Sequence, residues 1–169
     1  MDDCAPGLRP LLQDAAEPLA ASIIIPAHNE ATIIGRLLDA IPRQIDGNAL
    51  QIIVACNGCT DDTAGVARRH HGVTVIDVPV ASKIAALNAA DAAARAFPRL
   101  YVDADILMTP RTVADLVRAL KLPGALYASP PTRMETTGRP WLVRAYLAFW
   151  RHLMTVRGEY TGAGVFGLS

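Results

Sequence analysis

The sequence has little cysteine, no long apolar run and no excess of charge of either sign. Three cysteines in 169 residues are odd in number and too few for the disulfide framework of a secreted domain. Basic and acidic residues are balanced at 16 each, so the basic surface that a nucleic-acid partner requires is missing. No apolar run approaches bilayer-spanning length, and the acidic start of the chain differs from a secretory signal. We therefore expect a cytoplasmic protein that binds no nucleic acid.

Apolar residues, at 51% of the chain, are sufficient for the core of one folded domain. Short β-branched runs alternate with segments of helical periodicity. The strands are predicted at residues 22–26, 51–55, 73–78 and 100–102, and the helices at residues 33–41, 61–69, 82–96 and 110–120. In the third helix we expect Ile84, Leu87 and Phe97 to face inward. This alternation predicts an α/β fold with a mainly parallel sheet and helices on both of its faces.

Polar residues follow three of the predicted strands. His28 and Glu30 follow the first strand, Asn57 follows the second, and Asp103 and Asp105 follow the fourth. Because the carboxyl ends of parallel strands meet at one edge of a sheet, these three regions can converge on one ligand.

The segment Asp103-Ala104-Asp105 ends a buried strand in two acids. In an extended segment, residues two apart point to the same side, so the two carboxylates would repel each other there. Such a pair favours a bound cation, and Mg²⁺ or Mn²⁺ carrying a diphosphate suits it. The alternative interpretation is a pair of solvated loop acids.

Cys56 and Cys59 form a C-x-x-C pair, which raises the question of redox or zinc chemistry. A zinc site would need two further ligands, and the adjacent His70 and His71 cannot both meet a tetrahedral ion. We therefore expect two free thiols, with Gly58 as the residue that lets the loop turn tightly.

Three side chains near the strand ends each allow two interpretations. His28 is either structural or catalytic, and Glu30 is either a helix-capping charge or a ligand group. Lys83 follows Ser82, the expected N-cap of the third helix, and a cation at that end favours an anionic partner. An exposed surface lysine is the alternative. Asn29 is the expected N-cap of the first helix.

The pattern changes after residue 124. A short strand at 125–129 and a loop at 130–138 precede an amphipathic helix that begins near Pro140. Its apolar positions are Leu142, Tyr146, Phe149, Trp150 and Leu153. These side chains pack in the core, cover a segment outside this sequence, or lie at a lipid interface. A glycine-rich segment then leads into a final strand-like run.

Four segments together resemble glycosyltransferase family 2 of the GT-A (Rossmann-like) fold. They are SIIIPAHNEATIIGRLL, IIVACNGCTDDTAGVA, SKIAALNAA and RLYVDADILM. The resemblance covers residues 22–108, and residues 160–168 are similar to the glycine-rich segment of the family. It implies a hexosyltransferase that uses a nucleotide-diphosphate sugar, such as a UDP- or GDP-sugar, with inversion. It also implies Mn²⁺ or Mg²⁺ as cofactor and a glycan or lipid-linked acceptor.

The resemblance also assigns residues to the donor pocket and the metal. The donor residues are Pro26, His28, Glu30, Asn57, Lys83 and Asp103, and the metal ligand is Asp105. Pro26, His28 and Glu30 would line the nucleoside pocket. Lys83 would lie near the base or the diphosphate, and Asp103 near the ribose.

The sequence departs from the family pattern in two places. Cys56-Asn57 stands where the family often has two aspartates, so the Asn57 amide is the expected substitute and the identity of the base is open. The general-base aspartate of the family follows the glycine-rich segment, and we expect it beyond Ser169.

We expect the chain to consist of three regions. They are an irregular leader at 1–20, a nucleotide-sugar-binding α/β domain at 21–124, and the incomplete start of an acceptor-side region at 125–169. The alternative to a transferase is a non-catalytic nucleotide-sugar-binding module or an inactive fragment. Exposed apolar surface predicts self-association, and the amphipathic helix allows peripheral contact with the inner face of a membrane.

Overall fold

A computed structural model describes residues 19–131, 138–157 and 164–169 of the chain. The strands in these ranges are β1 (Leu19–Ala27), β2 (Gln44–Ile45), β3 (Asn48–Asn57), β4 (Val73–Val78), β5 (Arg99–Val102), β6 (Tyr127–Ala128) and β7 (Val165–Leu168). The helices are α1 (Ile34–Ala40), α2 (Thr63–Arg68), α3 (Lys83–Ala93), α4 (Pro110–Leu120) and α5 (Trp141–Arg157). The predicted α/β alternation is confirmed.

The strands form one sheet in the order β2-β3-β1-β5-β7-β6, with β4 also paired to β3. Strands β4, β3, β1 and β5 are parallel to one another, whereas β2 pairs antiparallel with β3, β7 with β5 and β6 with β7. The chain runs outward from β1 through β3 to β4 and then returns to β5 on the other side of β1. The strand order therefore reverses between β1 and β5, which is where α/β sheets bind ligands.

Both faces of the sheet are covered, as predicted. Along β1, Ile23 and Ile25 pack in the cluster that includes α1, α2 and α4, whereas Ile24 packs with α3. All three isoleucines are fully buried. A parallel strand covered on both faces needs a continuous apolar run, and the β-branched residues of β1 supply it.

Helix α3 contacts the sheet through its small residues. Ala86 and Ala90 are fully buried, and Leu87 packs beside them. The predictions for Ile84 and Phe97 are wrong, because their side chains are 71% and 57% exposed. Ile84 precedes Ala86 by two residues and therefore lies on a different side of the helix.

Several element boundaries differ from the prediction. Strand β1 begins at Leu19, three residues before the predicted start, and residues 1–18 of the expected leader lie outside the described residues. Helix α1 begins at Ile34, so Asn29 is not its N-cap. Helix α2 begins at Thr63, two residues after the predicted start. Hydrogen bonds between the two strand-end loops involve the residues just before both helix starts.

The β2–β3 hairpin was not predicted. Asp46 and Gly47 at its turn have φ angles of 51° and 79°, the left-handed values that favour an Asp-Gly pair. Arg118 of α4 donates to both Asp46 carboxylate oxygens, at 3.1 and 2.6 Å. The guanidinium lowers the pKa of Asp46 and ties the hairpin to α4.

In the C-terminal region, helix α4 is confirmed, whereas the apolar residues of helix α5 are exposed. Thr109 caps α4 through the Thr112 amide, and Pro110 occupies its first turn, as predicted. The face of α4 is buried through Val113, Leu116, Val117 and Leu120. In α5, the side chains expected to pack are between 59% and 65% exposed, at Leu142, Tyr146 and Phe149. Packing in the core is therefore wrong for these three residues.

Some C-terminal predictions concern positions that are not described. The loop at 132–137, the glycine-rich segment at 158–163 and the side chains of Trp150 and Leu153 lie outside the described residues. Strand β7 confirms the final strand-like run. No helix in the described parts of the chain is long and apolar enough to cross a membrane.

Candidate functional site

A pocket of about 210 Å³ opens where the strand order reverses. It is lined by Pro26, His28, Glu30, Asn57, Lys83, Asp103, Ala104 and Asp105. The seven residues singled out in the sequence therefore lie in one pocket, joined by Ala104. They come from the ends of β1, β3 and β5 and from the first turn of α3, as the convergence of parallel strand ends requires.

Side-chain hydrogen bonds fix the loops after β1 and β3 against each other. The Asn29 side-chain oxygen accepts from the Thr60 amide at 2.8 Å, and the Glu30 amide donates to the Thr63 hydroxyl at 2.8 Å. Asp61 accepts from the Thr63 amide at 3.0 Å and also bonds the Thr63 hydroxyl, which lowers the Asp61 pKa. Sequence reasoning missed the contacts between the two loops, since Asn29 and Thr60 are 31 residues apart in the chain and Glu30 and Thr63 are 33 residues apart.

Asn57 contributes two groups to the pocket. Its carbonyl oxygen lies 2.5 Å from His28 Nδ1. Because a carbonyl can only accept, Nδ1 must carry the hydrogen, and Nε2 of a neutral His28 ring is then an acceptor. The Asn57 carboxamide forms no hydrogen bond with the described residues, and Asn57 is 5% exposed. A donor and an acceptor are thus available to a ligand.

Lys83 and Asp103 form an ion pair across the pocket, with Nζ and Oδ1 2.6 Å apart. Lys83 therefore has an acidic partner within the chain, and the anionic ligand expected for Lys83 stays a prediction. The Asp103 amide donates to the Gly164 carbonyl at 2.8 Å. Gly164 has a φ of 81°, and a Cβ there would lie 2.8 Å from an Ile106 methyl carbon, so this position requires glycine.

Asp105 lies in a turn rather than in an extended segment, so the predicted reason for its alignment with Asp103 is wrong. It is exposed and has no hydrogen-bond or ion-pair partner among the described residues. The pKa of Glu30 is raised, first by burial and then by the charges of Asp105 and Asp61. The pocket therefore has a negative edge that a cation would neutralise.

The carboxylates of the pocket fit a divalent cation whose other ligands come from a bound molecule. Within the described residues, no group of three or more His, Cys, Asp or Glu side chains could hold a metal alone. Mg²⁺ and Mn²⁺ accept one or two carboxylates together with water and phosphate oxygens, so a single carboxylate of the pocket would be enough.

The C-x-x-C pair lies beside the pocket and forms no disulfide. Cys56 and Cys59 are free thiols, as predicted. Burial raises the pKa of Cys56 to about 12, and its side chain packs in the core with α1 and α2. Gly58 has a φ of 56°, and a Cβ there would lie 2.7 to 2.8 Å from Ala81. The tight turn expected at Gly58 is present.

A sheet whose strand order reverses above a pocket of this kind defines a doubly wound α/β ligand-binding domain. Comparison with known proteins makes the class specific. The family model described as "Glycosyl transferase family 2" matches residues 22–166. The chain therefore belongs to glycosyltransferase family 2.

Solved structures support this assignment and confirm the GT-A fold. The mannosyltransferase of Pyrobaculum calidifontis, in complex with GDP-Man and Mn²⁺, is 27% identical with a TM-score of 0.61, over 71% of this chain and 39% of that one. The glucosyl-3-phosphoglycerate synthase of Mycobacterium tuberculosis, in complex with Mn²⁺, UDP and glucosyl-3-phosphoglycerate, is 26% identical with a TM-score of 0.64, over 92% and 57%.

A curated relative matches over a shorter stretch. The 4,4'-diaponeurosporenoate glycosyltransferase of Staphylococcus aureus is 49% identical over 59 residues, which are 35% of this chain and 15% of that protein. The chain thus spans only part of the length of each of these relatives.

Proposed function

We propose that this chain binds the donor of a glycosyltransferase that moves a hexose from a nucleotide-diphosphate sugar to an acceptor. One observation carries the proposal. Residues from three strand ends line a single pocket that combines an unpaired carboxylate, a buried unpaired amide and a lysine. These are the groups that a metal-bound diphosphate and a nucleobase require.

The nucleoside would occupy the inner part of the pocket. Pro26, His28 and Glu30 form its wall, and the Asn57 carboxamide offers both a donor and an acceptor to the base. An amide complements the mixed edge of uracil or guanine, so a UDP- or GDP-sugar is the proposed donor. The complexes of the two solved relatives contain UDP in one case and GDP-Man in the other.

The diphosphate would lie between Lys83 and Asp105. In the structure the Lys83 ammonium is 2.6 Å from Asp103 and 59% exposed, so it can move to a phosphate oxygen without being taken out of water. That exchange would free the Asp103 carboxylate to accept from ribose hydroxyls. Asp105 would hold Mn²⁺ or Mg²⁺, and the bound cation supplies charge neutralisation of the leaving diphosphate.

Transfer would proceed with inversion and needs a general base to take the proton of the acceptor hydroxyl. The carboxylates of the pocket are assigned to the donor and the metal, so we place the base in sequence beyond Ser169. A paired assay tests this assignment. The 169-residue chain should bind donor without measurable transfer, and comparable turnover from it and from a longer chain would refute the placement of the base.

We further infer a glycan or lipid-linked acceptor in the cytoplasm, at the inner face of the membrane. The second candidate function is a non-catalytic nucleotide-sugar-binding module, since the pocket residues account for donor binding without a general base among them. A longer chain that binds donor with the same affinity and still transfers no sugar would select it.

Calorimetric titration with UDP, GDP, ADP and CDP, with and without Mn²⁺, tests donor binding directly. Asp105→Ala should weaken the Mn²⁺-dependent affinity by about 100-fold and leave the fold intact, since Asp105 is exposed at a turn. The matched control is Asp115→Ala, which removes an exposed acid of α4 that takes part only in surface ion pairs. Equal affinities of Asp105→Ala and the unaltered protein in Mn²⁺ would overturn the metal assignment.

A further inference from the structure

Helix α5 presents an apolar face to solvent. Leu142, Tyr146 and Phe149 follow one another at spacings of four and three residues, so they lie on one side of the helix. Their side chains are 65%, 59% and 62% exposed, and Trp141 at the start of the helix is 76% exposed. The amphipathic face of α4, by contrast, is buried. The face of α5 therefore has the composition of a contact surface.

The charge of this segment is one-sided. Residues 139–157 contain four arginines and no acidic residue, which leaves 12 basic and 16 acidic residues in the rest of the chain. Arg139 and Arg144 are exposed and form no ion pair with a described acid. Arg144 lies at a helical position nearly opposite Leu142 and Phe149, as expected for a polar face above an apolar one. A negatively charged partner complements this charge.

Aromatic residues are concentrated in the same segment. Both tryptophans of the chain, Trp141 and Trp150, fall within the bounds of α5, together with Tyr146 and Phe149. Tryptophan and tyrosine favour the boundary between lipid headgroups and acyl chains, where the ring is apolar and its N–H or O–H is hydrated. An interfacial helix combines such an apolar and aromatic face with basic residues on its polar face.

We propose that α5 is an interfacial helix that lies on an anionic lipid bilayer, with its apolar face in the headgroup region and its arginines on lipid phosphates and carboxylates. At 17 residues with arginines along its length, it lies on a bilayer instead of spanning one. This inference extends the membrane location given above by naming the attachment element, and it does not depend on the transfer chemistry. It would bring the donor pocket to a lipid-borne acceptor.

Vesicle binding by the 169-residue chain tests the proposal, with vesicles of phosphatidylcholine alone and with added phosphatidylserine. Because both tryptophans belong to α5, their emission should shift to the blue on binding, in parallel with co-sedimentation. We expect at least about tenfold tighter binding to the anionic vesicles, and weaker binding as salt is raised. Binding that is absent, or equal on the two kinds of vesicle, would overturn the proposal.

Three variants locate the contact. Leu142→Glu should weaken vesicle binding about tenfold or more, and Arg144→Gln about fivefold. The matched control is Leu126→Glu, which changes a leucine that is 76% exposed just before β6 and should leave binding unchanged. Equal losses in Leu142→Glu and Leu126→Glu would overturn the assignment to α5. Sedimentation velocity without lipid adds a second readout, because an oligomer that Leu142→Glu dissociates would identify a second copy of the chain as the occupant instead.

Discussion

Helices α4 and α5 have the same kind of apolar periodicity and opposite environments. In α4, the residues Val113, Val117 and Leu120 are between 0% and 2% exposed. In α5, Leu142 and Phe149 are 65% and 62% exposed. Helical spacing therefore predicts that one face is apolar, but it does not predict what covers that face.

The difference arises from the sheet. Gly167 of β7 has no side chain, and a Cβ there would lie 2.4 Å from a Leu120 methyl carbon and 2.6 Å from a Leu100 methyl carbon. That space lets α4 pack directly on β7. The exposed side chains of α5 have no comparable site in the described part of the chain.

The largest expected effect comes from matched leucine truncations in the two helices. Leu120→Ala should lower the free energy of unfolding by about 2–5 kcal/mol, because it leaves a cavity in the core. Leu142→Ala should change it by less than about 0.5 kcal/mol, since its side chain is exposed. Urea unfolding followed by circular dichroism measures both. Equal losses would mean that α5 is buried in solution and would remove the contrast between the helices.

A second, smaller effect is expected from alanine substitutions at two glycines. Gly58 is tightly packed beside the pocket, whereas Gly124 lies in open space. Gly58→Ala should cost about 3 kcal/mol of unfolding free energy, because its φ is positive and its Cβ would meet Ala81 at 2.7 Å. Gly124→Ala should cost only about 1 kcal/mol, since its φ of 82° is also positive but nothing lies within 4 Å of its Cβ.

Urea titration of the two glycine variants checks this comparison. Gly58→Ala should also weaken nucleoside-diphosphate binding, because Gly58 follows Asn57, the residue proposed to bind the base, whereas Gly124→Ala should not. If the two variants lost stability equally, the contact with Ala81 would contribute nothing.

The smallest expected effect is a dependence of the free energy of unfolding on pH. It comes from an acidic residue of α3, whereas α5 contains no acid. Asp91 accepts from the Tyr101 hydroxyl and from Arg99, both at 2.6 Å, and these two groups lower its pKa. A lowered pKa stabilises the fold above the unfolded-state value of 3.8, and this contribution is lost as the pH falls through the lower folded-state value.

Asp91→Asn should therefore flatten the acid side of the stability profile. Because the Asp91 side chain is 40% exposed, we expect a loss below about 1 kcal/mol at neutral pH. Urea unfolding from neutral to acid pH measures the slope, with Asp115→Asn as control. A slope that Asp91→Asn leaves unchanged would contradict the pairing with Tyr101 and Arg99.

The sequence by itself determined the strands other than β2, most of the helices and the seven predicted residues that line one pocket. Ile23, Ile24 and Ile25 could only form a strand covered on both faces, and Thr109-Pro110 could only open a helix. Periodicity and capping act over a few residues, so they can be read from the chain directly. The ends of parallel strands meet at one edge, and for this reason His28 and Asp103 could be placed in one pocket before the structure was known.

Which side chains form long-range contacts with each other was decided by the tertiary structure alone. Asn29 was expected to cap a helix and instead binds Thr60, 31 residues away. Lys83 is paired with Asp103, and Gly164 closes the turn beside it. Such contacts depend on which strands lie next to each other, and the exposure of α5 depends on whether any element lies across it. Neither follows from local sequence, because the free energy of a long-range contact is set by the neighbour and not by the residue itself.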